Sequence, residues 1–312
     1  MNSLFRTTIK VLLIICLLQL FAAPFKTTAQ MAGTPDQLDM AGTLVSLKKT
    51  VDNFTRTGDR STGTEGCDQA AAYIRERLAE TDPDRLDSVH FTVPVRKHLG
   101  SKLIIGEREI PISPILYNAI TPESLPEGGL RGNLVYVGKG ELADFNGKEI
   151  KDAIVLMEFD SGRNWLNAAS LGATALIYIN RGIAPKNRFS EKEELSPLQF
   201  PCFWIEEQTL HQLTGSSAAA PASLNGMTVR LETVIEWVEA KAQNIYALYP
   251  GTKEELQNQL IIVEAFYDSS TFIPGHSPGA EESLSIAGLL QLAELLSRQP
   301  PSRPFLLVAS SG

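Results

Sequence analysis

Apolar positions recur along the chain with two periods, and the switches between them outline its elements. Within residues 38–56, Leu44, Leu47, Val51 and Phe54 fall close to the 3.6-residue repeat of an amphipathic helix. A Gly-, Thr- and Ser-rich break at 58–66 separates it from a second helix at 68–80, which Pro83 limits. Residues 88–95 alternate as a strand does. Further on, 132–138 and 153–157 predict strands separated by a turn at 144–150, and a short helix at 164–171 leads into a third strand at 172–179. Residues 213–225, with their Ser-Ala-Pro composition, predict a surface loop or linker. Strands at 242–249, 260–266 and 305–309 and an amphipathic helix at 283–297 complete an α/β order.

With 312 residues, 43% of them hydrophobic and 21% charged, the chain is globular and long enough to bury two modest cores. Its start is a separate matter. Arg6 and Lys10 precede an apolar run at 11–23, and Thr27, Thr28 and Ala29 offer a small-residue cleavage site, so residues 1–29 predict a secretory signal peptide and a secreted or periplasmic protein. The apolar run is too short to span a bilayer, and Ile15 before Cys16 is not the small residue that lipid attachment needs. Removal of 1–29 takes away Arg6, Lys10 and Lys26, moving the formal net charge from −8 to −11. Such a surface disfavours nucleic acid and anionic membranes as partners. Cys67 and Cys202 remain in the mature chain, and sequence leaves open whether they pair.

The densest chemistry lies between Ile261 and Gly288. An apolar strand ends near Asp268, a loop containing Pro274, Gly275, Pro278 and Gly279 follows, and Glu281 and Glu282 open the next helix. The carboxyl ends of strands in open α/β sheets are where ligands bind. Glu281 and Glu282 have two readings: acids placed for the helix dipole, or ligands of a site with Asp268. His276, in the connecting loop, is either a surface residue or an imidazole for that site.

The frame Phe266-Tyr267-Asp268-Ser269, followed by Pro278-Gly279-Ala280-Glu281-Glu282-Ser283-Leu284-Ser285-Ile286, resembles the first metal-binding stretch of the family 28 metallopeptidases, the co-catalytic zinc exopeptidases. The resemblance implies a histidine ligand at 266, an orienting carboxylate at Asp268 and a zinc-bridging carboxylate at Glu282. Here Phe266 offers no lone pair, and glutamate at 282 lengthens the bridging arm by a methylene. The family's later Glu-Glu pair, general base and ligand, has no counterpart before Gly312. Zinc is the family's cofactor, and the residues present predict none or only weak binding.

The middle of the chain carries a second resemblance. Gly132-Asn133-Leu134-Val135-Tyr136-Val137-Gly138, the Asp144-Phe145 turn, Ile154-Val155-Leu156, and the run from Gly172 to Ile179 are similar to the recurring strands of the protease-associated domain. The implied organisation is a signal peptide (1–29), a helical lead-in of a peptidase-like domain (30–113), a protease-associated domain (114–236) and an incomplete peptidase-like α/β segment (237–312). The fold class is therefore α/β, a partial zinc-exopeptidase-like sheet with helices and an inserted β-rich protease-associated domain. Strands as apolar as those at 260–266 and 305–309 call for cover on both faces. Two functional readings follow: a secreted, non-catalytic relative of zinc exopeptidases that binds a peptide or protein, or the front part of an active metallopeptidase.

Overall fold

A computed structural model describes residues 40–116, 125–182, 186–193, 200–214, 220–270, 272–276 and 279–312. The signal peptide expected at 1–29 and Pro278 of the metal-like frame lie outside them. Residues 41–312 form one compact unit.

Helix α1 (Met40–Arg56) and helix α2 (Glu65–Ala79) form where the apolar period places them, but of the α1 stripe Phe54 is buried and Leu44 is exposed. Thr64 caps α2 by accepting the Cys67 N–H, and Glu65 and Asp68 sit in its first turn where the helix dipole favours them. Its buried stripe is Cys67, Ala70, Ala71, Ile74 and Leu78.

The strands join into a ten-stranded mixed sheet. Its spine is a long antiparallel ribbon of β1 (Arg85–Ile105) and β8 (Thr228–Tyr249), paired from Arg85↔Leu248 to Ile104↔Arg230. The register shifts between His98 and Gly100, so Leu99 forms a bulge, and β2 (Arg108–Pro111) hairpins back onto β1. The other edge of β8 serves two partners. Near its start it pairs with β4 (Leu130–Tyr136), and near its end with β10 (Phe305–Ser310).

From β4 a parallel array continues through β5 (Ile154–Glu158), β6 (Ala175–Asn180) and β7 (Cys202–Glu206), closed by the short antiparallel β3 (Ser113–Pro114). From β10 a parallel pair is made with β9 (Ile261–Phe266). Four more helices complete the described residues: α3 (Trp165–Ser170), α4 (Lys186–Ser190), α5 (Glu207–Thr214) and α6 (Ser283–Arg298). The loop expected at 213–225 begins inside α5 and holds a 3₁₀ turn at Pro221–Leu224. β8 runs unbroken across Glu236 and Trp237, where sequence placed a segment boundary. The strand expected at 88–95 is one part of a 21-residue β1.

The array β5–β7 is buried on both faces, as its apolar runs require. Val155, Met157, Leu176, Tyr178, Cys202 and Trp204 point into one core with Trp165, Phe189 and Phe200. Ile154, Leu156, Ile177, Phe203 and Ile205 point into another, closed by Leu210, Leu213 and Leu224. Lys192 is buried in the first of these, a single amine among rings.

β9 and β10 behave differently. Their inward residues Ala265, Phe305, Leu307 and Ala309, with Ile245, Ala247 and Tyr249 of β8, pack under α1, α2 and α6. The outward residues of β9 are not covered among the described residues: Ile262 is 60% and Phe266 57% exposed. The expectation of two-sided burial, drawn for 260–266 and 305–309, fails for β9, whose partner is β10 alone and whose helices all lie on one face, while β10 is buried on one face and half-buried at Leu306 and Val308 on the other. A second tie holds that helical layer together, Arg77 of α2 reaching both Glu294 of α6 and the Tyr73 hydroxyl. Cys67 and Cys202 form no disulfide and are buried in separate cores.

This asymmetry predicts unequal costs for equal truncations. Ile74→Ala, fully buried between α2 and the sheet, is expected to lose about 3 kcal/mol, and Ile262→Ala no more than about 0.5 kcal/mol. Urea unfolding of both variants checks this; equal losses would mean that the outer face of β9 is packed in solution.

Candidate functional site

β9 delivers its last residues to the carboxyl edge of the sheet, beside the turn that joins α1 to α2. Tyr267 N–H donates to Ser310 O (3.0 Å), extending the parallel pairing one residue past the strand. Ser269 N–H donates to Arg60 O (3.1 Å), which stitches the new loop to the α1–α2 turn. The Tyr267 hydroxyl donates to Gln243 O (2.9 Å), and burial raises its pKa.

Asp268 is held by three donors on one oxygen. Its Oδ2 accepts from Thr62 Oγ1 (2.7 Å), Gly312 N (2.9 Å) and Ser311 Oγ (3.3 Å). From sequence this carboxylate had nothing to orient; in the fold it is itself oriented, by the α1–α2 turn and by the end of β10. Ser311 Oγ also lies 3.6 Å from Cys67 Sγ. Burial raises the pKa of that thiol, which keeps it protonated and a poor nucleophile.

At the centre is Arg60, a residue that pattern reading missed. It is fully buried. Nε donates to Tyr267 O (3.1 Å), Nη1 to Phe54 O (3.2 Å) and Nη2 to Gly279 O (3.0 Å), while the guanidinium carbon lies 5.2 Å from the centre of the Phe54 ring. Burial lowers its pKa below the ordinary arginine value, opposed by the fields of Glu282, Cys67 and Asp268. Arg60 thus shares its surroundings with both carboxylates that sequence singled out. The only hint in sequence is a lone arginine inside the small-residue break at 58–66, with two of its three carbonyl partners more than 200 residues away.

Gly279 faces that guanidinium. Its φ of +57° is in the left-handed region, and a Cβ there would sit 2.5 Å from Ser269 Cβ and 2.8 Å from Arg60 Nη2. Its carbonyl also accepts from Ser283 N (3.0 Å) and Ser283 Oγ (2.7 Å), so one oxygen gathers the first turn of α6 and Arg60 together. Glu282 occupies the N-cap position with helical backbone angles, and its side chain makes no capping hydrogen bond. At that position the helix dipole favours the Glu282 charge without a capping hydrogen bond. Glu281 and His276 are exposed, and the His276 N–H closes a turn onto Ile273 O (3.0 Å).

Zinc takes its ligands from Cys, His, Asp and Glu side chains at about 2.0–2.3 Å, three or four to a site. Among the described residues no three such groups converge. Phe266 has no lone pair, Asp268 spends one oxygen on three donors, and the cation already beside Glu282 is Arg60. The residues present do not fit a two-zinc centre. What they can do is fix a carboxylate-bearing loop around an internal guanidinium.

No protein-family model and no curated protein sequence matches this chain. Solved structures do. The zinc aminopeptidase BSAP from Bacillus subtilis superposes with a TM-score of 0.56 at 20% identity, covering 85% of this chain and 60% of that one. A second structure of it gives 0.53 at 21% identity over the same shares. A peptidase M28 precursor from Shewanella amazonensis gives 0.51 at 18% identity, covering 87% of this chain and 67% of that one. The chain spans about 60% of the length of the Bacillus enzyme. At these identities the likeness establishes an aminopeptidase-like α/β fold.

Proposed function

We propose that this protein is a secreted or periplasmic relative of zinc-dependent exopeptidases that binds a peptide or protein without hydrolysing it. The observation that carries this reading is Arg60. A buried guanidinium bonded to three backbone carbonyls holds the loop of Asp268 and Glu282 in place, so the loop needs no metal to be ordered. A positive charge fixed beside those carboxylates also works against a divalent cation there. Phe266 at the position where the resemblance implies a histidine points the same way, and its exposure means that the ring is no part of the core. In this reading residues 114–236 are a protease-associated module, supported by the strand motifs that become β4, β5 and β6. Among the described residues no helix is long and apolar enough to cross a membrane.

A second reading, the front part of an active metallopeptidase, is favoured by one fact: the Bacillus aminopeptidase is longer, and 40% of it has no counterpart in this chain. Metal analysis and peptide assays separate the two. The purified mature chain is expected to retain less than one equivalent of zinc after exposure and dialysis, and to release no amino acid from peptides in a chelator-sensitive way. Stoichiometric zinc, or release abolished by a chelator, would sink the non-catalytic reading. Phe266→His, which adds an imidazole at an exposed position, is expected to raise zinc retention without changing the unfolding midpoint.

The role given to Arg60 makes its own prediction. Arg60→Met removes every donor while keeping most of the length, taking the guanidinium from Tyr267 O while Phe54 O and Gly279 O keep their bonds from Thr57 and Ser283, and is expected to destabilise by about 2 kcal/mol. Gly279→Ala, which meets both backbone strain and a clash with Ser269, is expected to cost at least about 2 kcal/mol. Unfolding midpoints in urea test both; a loss below about 1 kcal/mol for Arg60→Met would show that the loop is held by something else.

A further inference from the structure

The loop that carries Asp268 is gripped from a second side, by the core of the parallel array. Phe272 stacks on Phe189 with ring centroids 5.4 Å apart and planes 7° from parallel. Ile273 is buried in the same core, and Phe272 O accepts from Leu116 N (2.7 Å). Phe189 belongs to residues 186–193, which close that core from outside its strands, and its ring also lies 4.6 Å from Phe159 and 5.3 Å from Trp204.

Three residues beyond Phe189, the same segment inserts Lys192. Its Nζ lies 4.6 Å from the centre of the Phe159 ring and 4.7 Å from that of Tyr178, and it donates to Gly162 O (2.9 Å). Among the described residues no carboxylate makes a hydrogen bond to the amine, and the Tyr178 hydroxyl is buried with no hydrogen-bond partner. The ionisable groups that act on it are Glu191 and Arg188 from its own segment, Asp160 after β5 and Cys202 of β7, with Tyr178 of β6 beneath it. Arg188 pairs with both Glu191 (3.2 Å) and Asp160 (3.5 Å), and Lys139 with Asp160 (3.6 Å), so the two acids are shared with surface cations.

We propose that residues 186–193 are a proton-operated latch on the carboxylate loop: docked, Lys192 fills the aromatic cage and Phe189 clamps Phe272; released, Lys192 returns to water and Phe272 loses its stacking partner. The direction of control follows from the cage. Burial pushes the Lys192 amine down from 10.5 to about 8, against the fields of Glu191 and Asp160. The released form, with an ordinary amine, binds the proton more tightly than the docked form. Release is therefore favoured as pH falls from 10.5 towards 8 and changes no further below that, a span of up to roughly 300-fold in the opening equilibrium. This inference goes beyond the proposed function and needs neither zinc nor peptide, so either can fail without the other.

Amide hydrogen exchange of the full mature chain, corrected for intrinsic rates between pH 7.5 and 10, tests it. Protection of both 186–193 and 272–276 is expected to rise with pH in parallel. Lys192→Met, which fills the cage without a charge, is expected to flatten both profiles at the more protected level. Phe189→Ala is expected to leave 272–276 unprotected at every pH. If Lys192→Met keeps the pH response of the parent chain, the proton is acting elsewhere and the latch is wrong. If 186–193 responds to pH while 272–276 does not, the coupling through Phe189 is wrong.

Discussion

β8 is the constraint on which the rest of the structure depends. It is hydrogen-bonded along one edge to β1 for nearly its whole length, and along the other to β4 near its start and β10 near its end. The two parallel groups of strands, β4–β7 and β9–β10, do not pair with each other; both take their register from this one strand. Because side chains alternate with period two, a one-residue slip of β8 would turn Val229 and Leu231 out of one core and Ile245, Ala247 and Tyr249 out of another at the same time. That double penalty is what makes a 22-residue strand specific despite the many polar residues in its middle.

The ribbon also explains how the loop after β9 reaches two environments. At both ends the loop lies against the α1–α2 turn, where Arg60 reads the carbonyls of Tyr267 and Gly279. Between them, Phe272 and Ile273 enter the core of the parallel array. Each grip uses a different kind of force, charge-assisted hydrogen bonding to main chain in one case and aromatic packing in the other. A loop held at two points by unlike interactions can lose one and keep the other, which is the physical basis of a latch.

Much of this was legible in the chain and some was not, for reasons that differ by element. α2 and α6 were readable because Ile74 and Leu78, or Leu289, Leu290 and Ala293, repeat at helical spacing. β5 and β6 were readable because strands buried on both faces are apolar throughout. The length of β1 and β8 was hidden: stretches such as Arg96, Lys97 and His98 on one strand and Glu236 and Trp237 on the other show no apolar face, and only their pairing across well over a hundred residues makes them strands. The same apolar signal at β9 pointed to burial on both faces, since sequence records that a residue is apolar and not whether a second layer exists to cover it. In the candidate site, Asp268 and Glu282 were found by their frame, whereas Thr62, Ser311 and above all Arg60 were not, because what Arg60 binds is backbone carbonyl and carbonyls leave no trace in residue identity.

Carbonyl-directed contacts of this kind hold the carboxylate loop without calling on a metal. A metal centre contributes to stability when its ligands are what hold the loops that bear them. Here the loop's conformation is set by donors that belong to the chain: Arg60 on three carbonyls, Ser283 on Gly279 O, and Thr62 and Gly312 on Asp268. None of these contacts involves position 266, whose ring faces outward from the edge strand. On the proposed reading, a benzene ring where the resemblance implies an imidazole costs the fold almost nothing and offers zinc no lone pair. On the same reading, the order of this loop rests on residues other than the one at position 266.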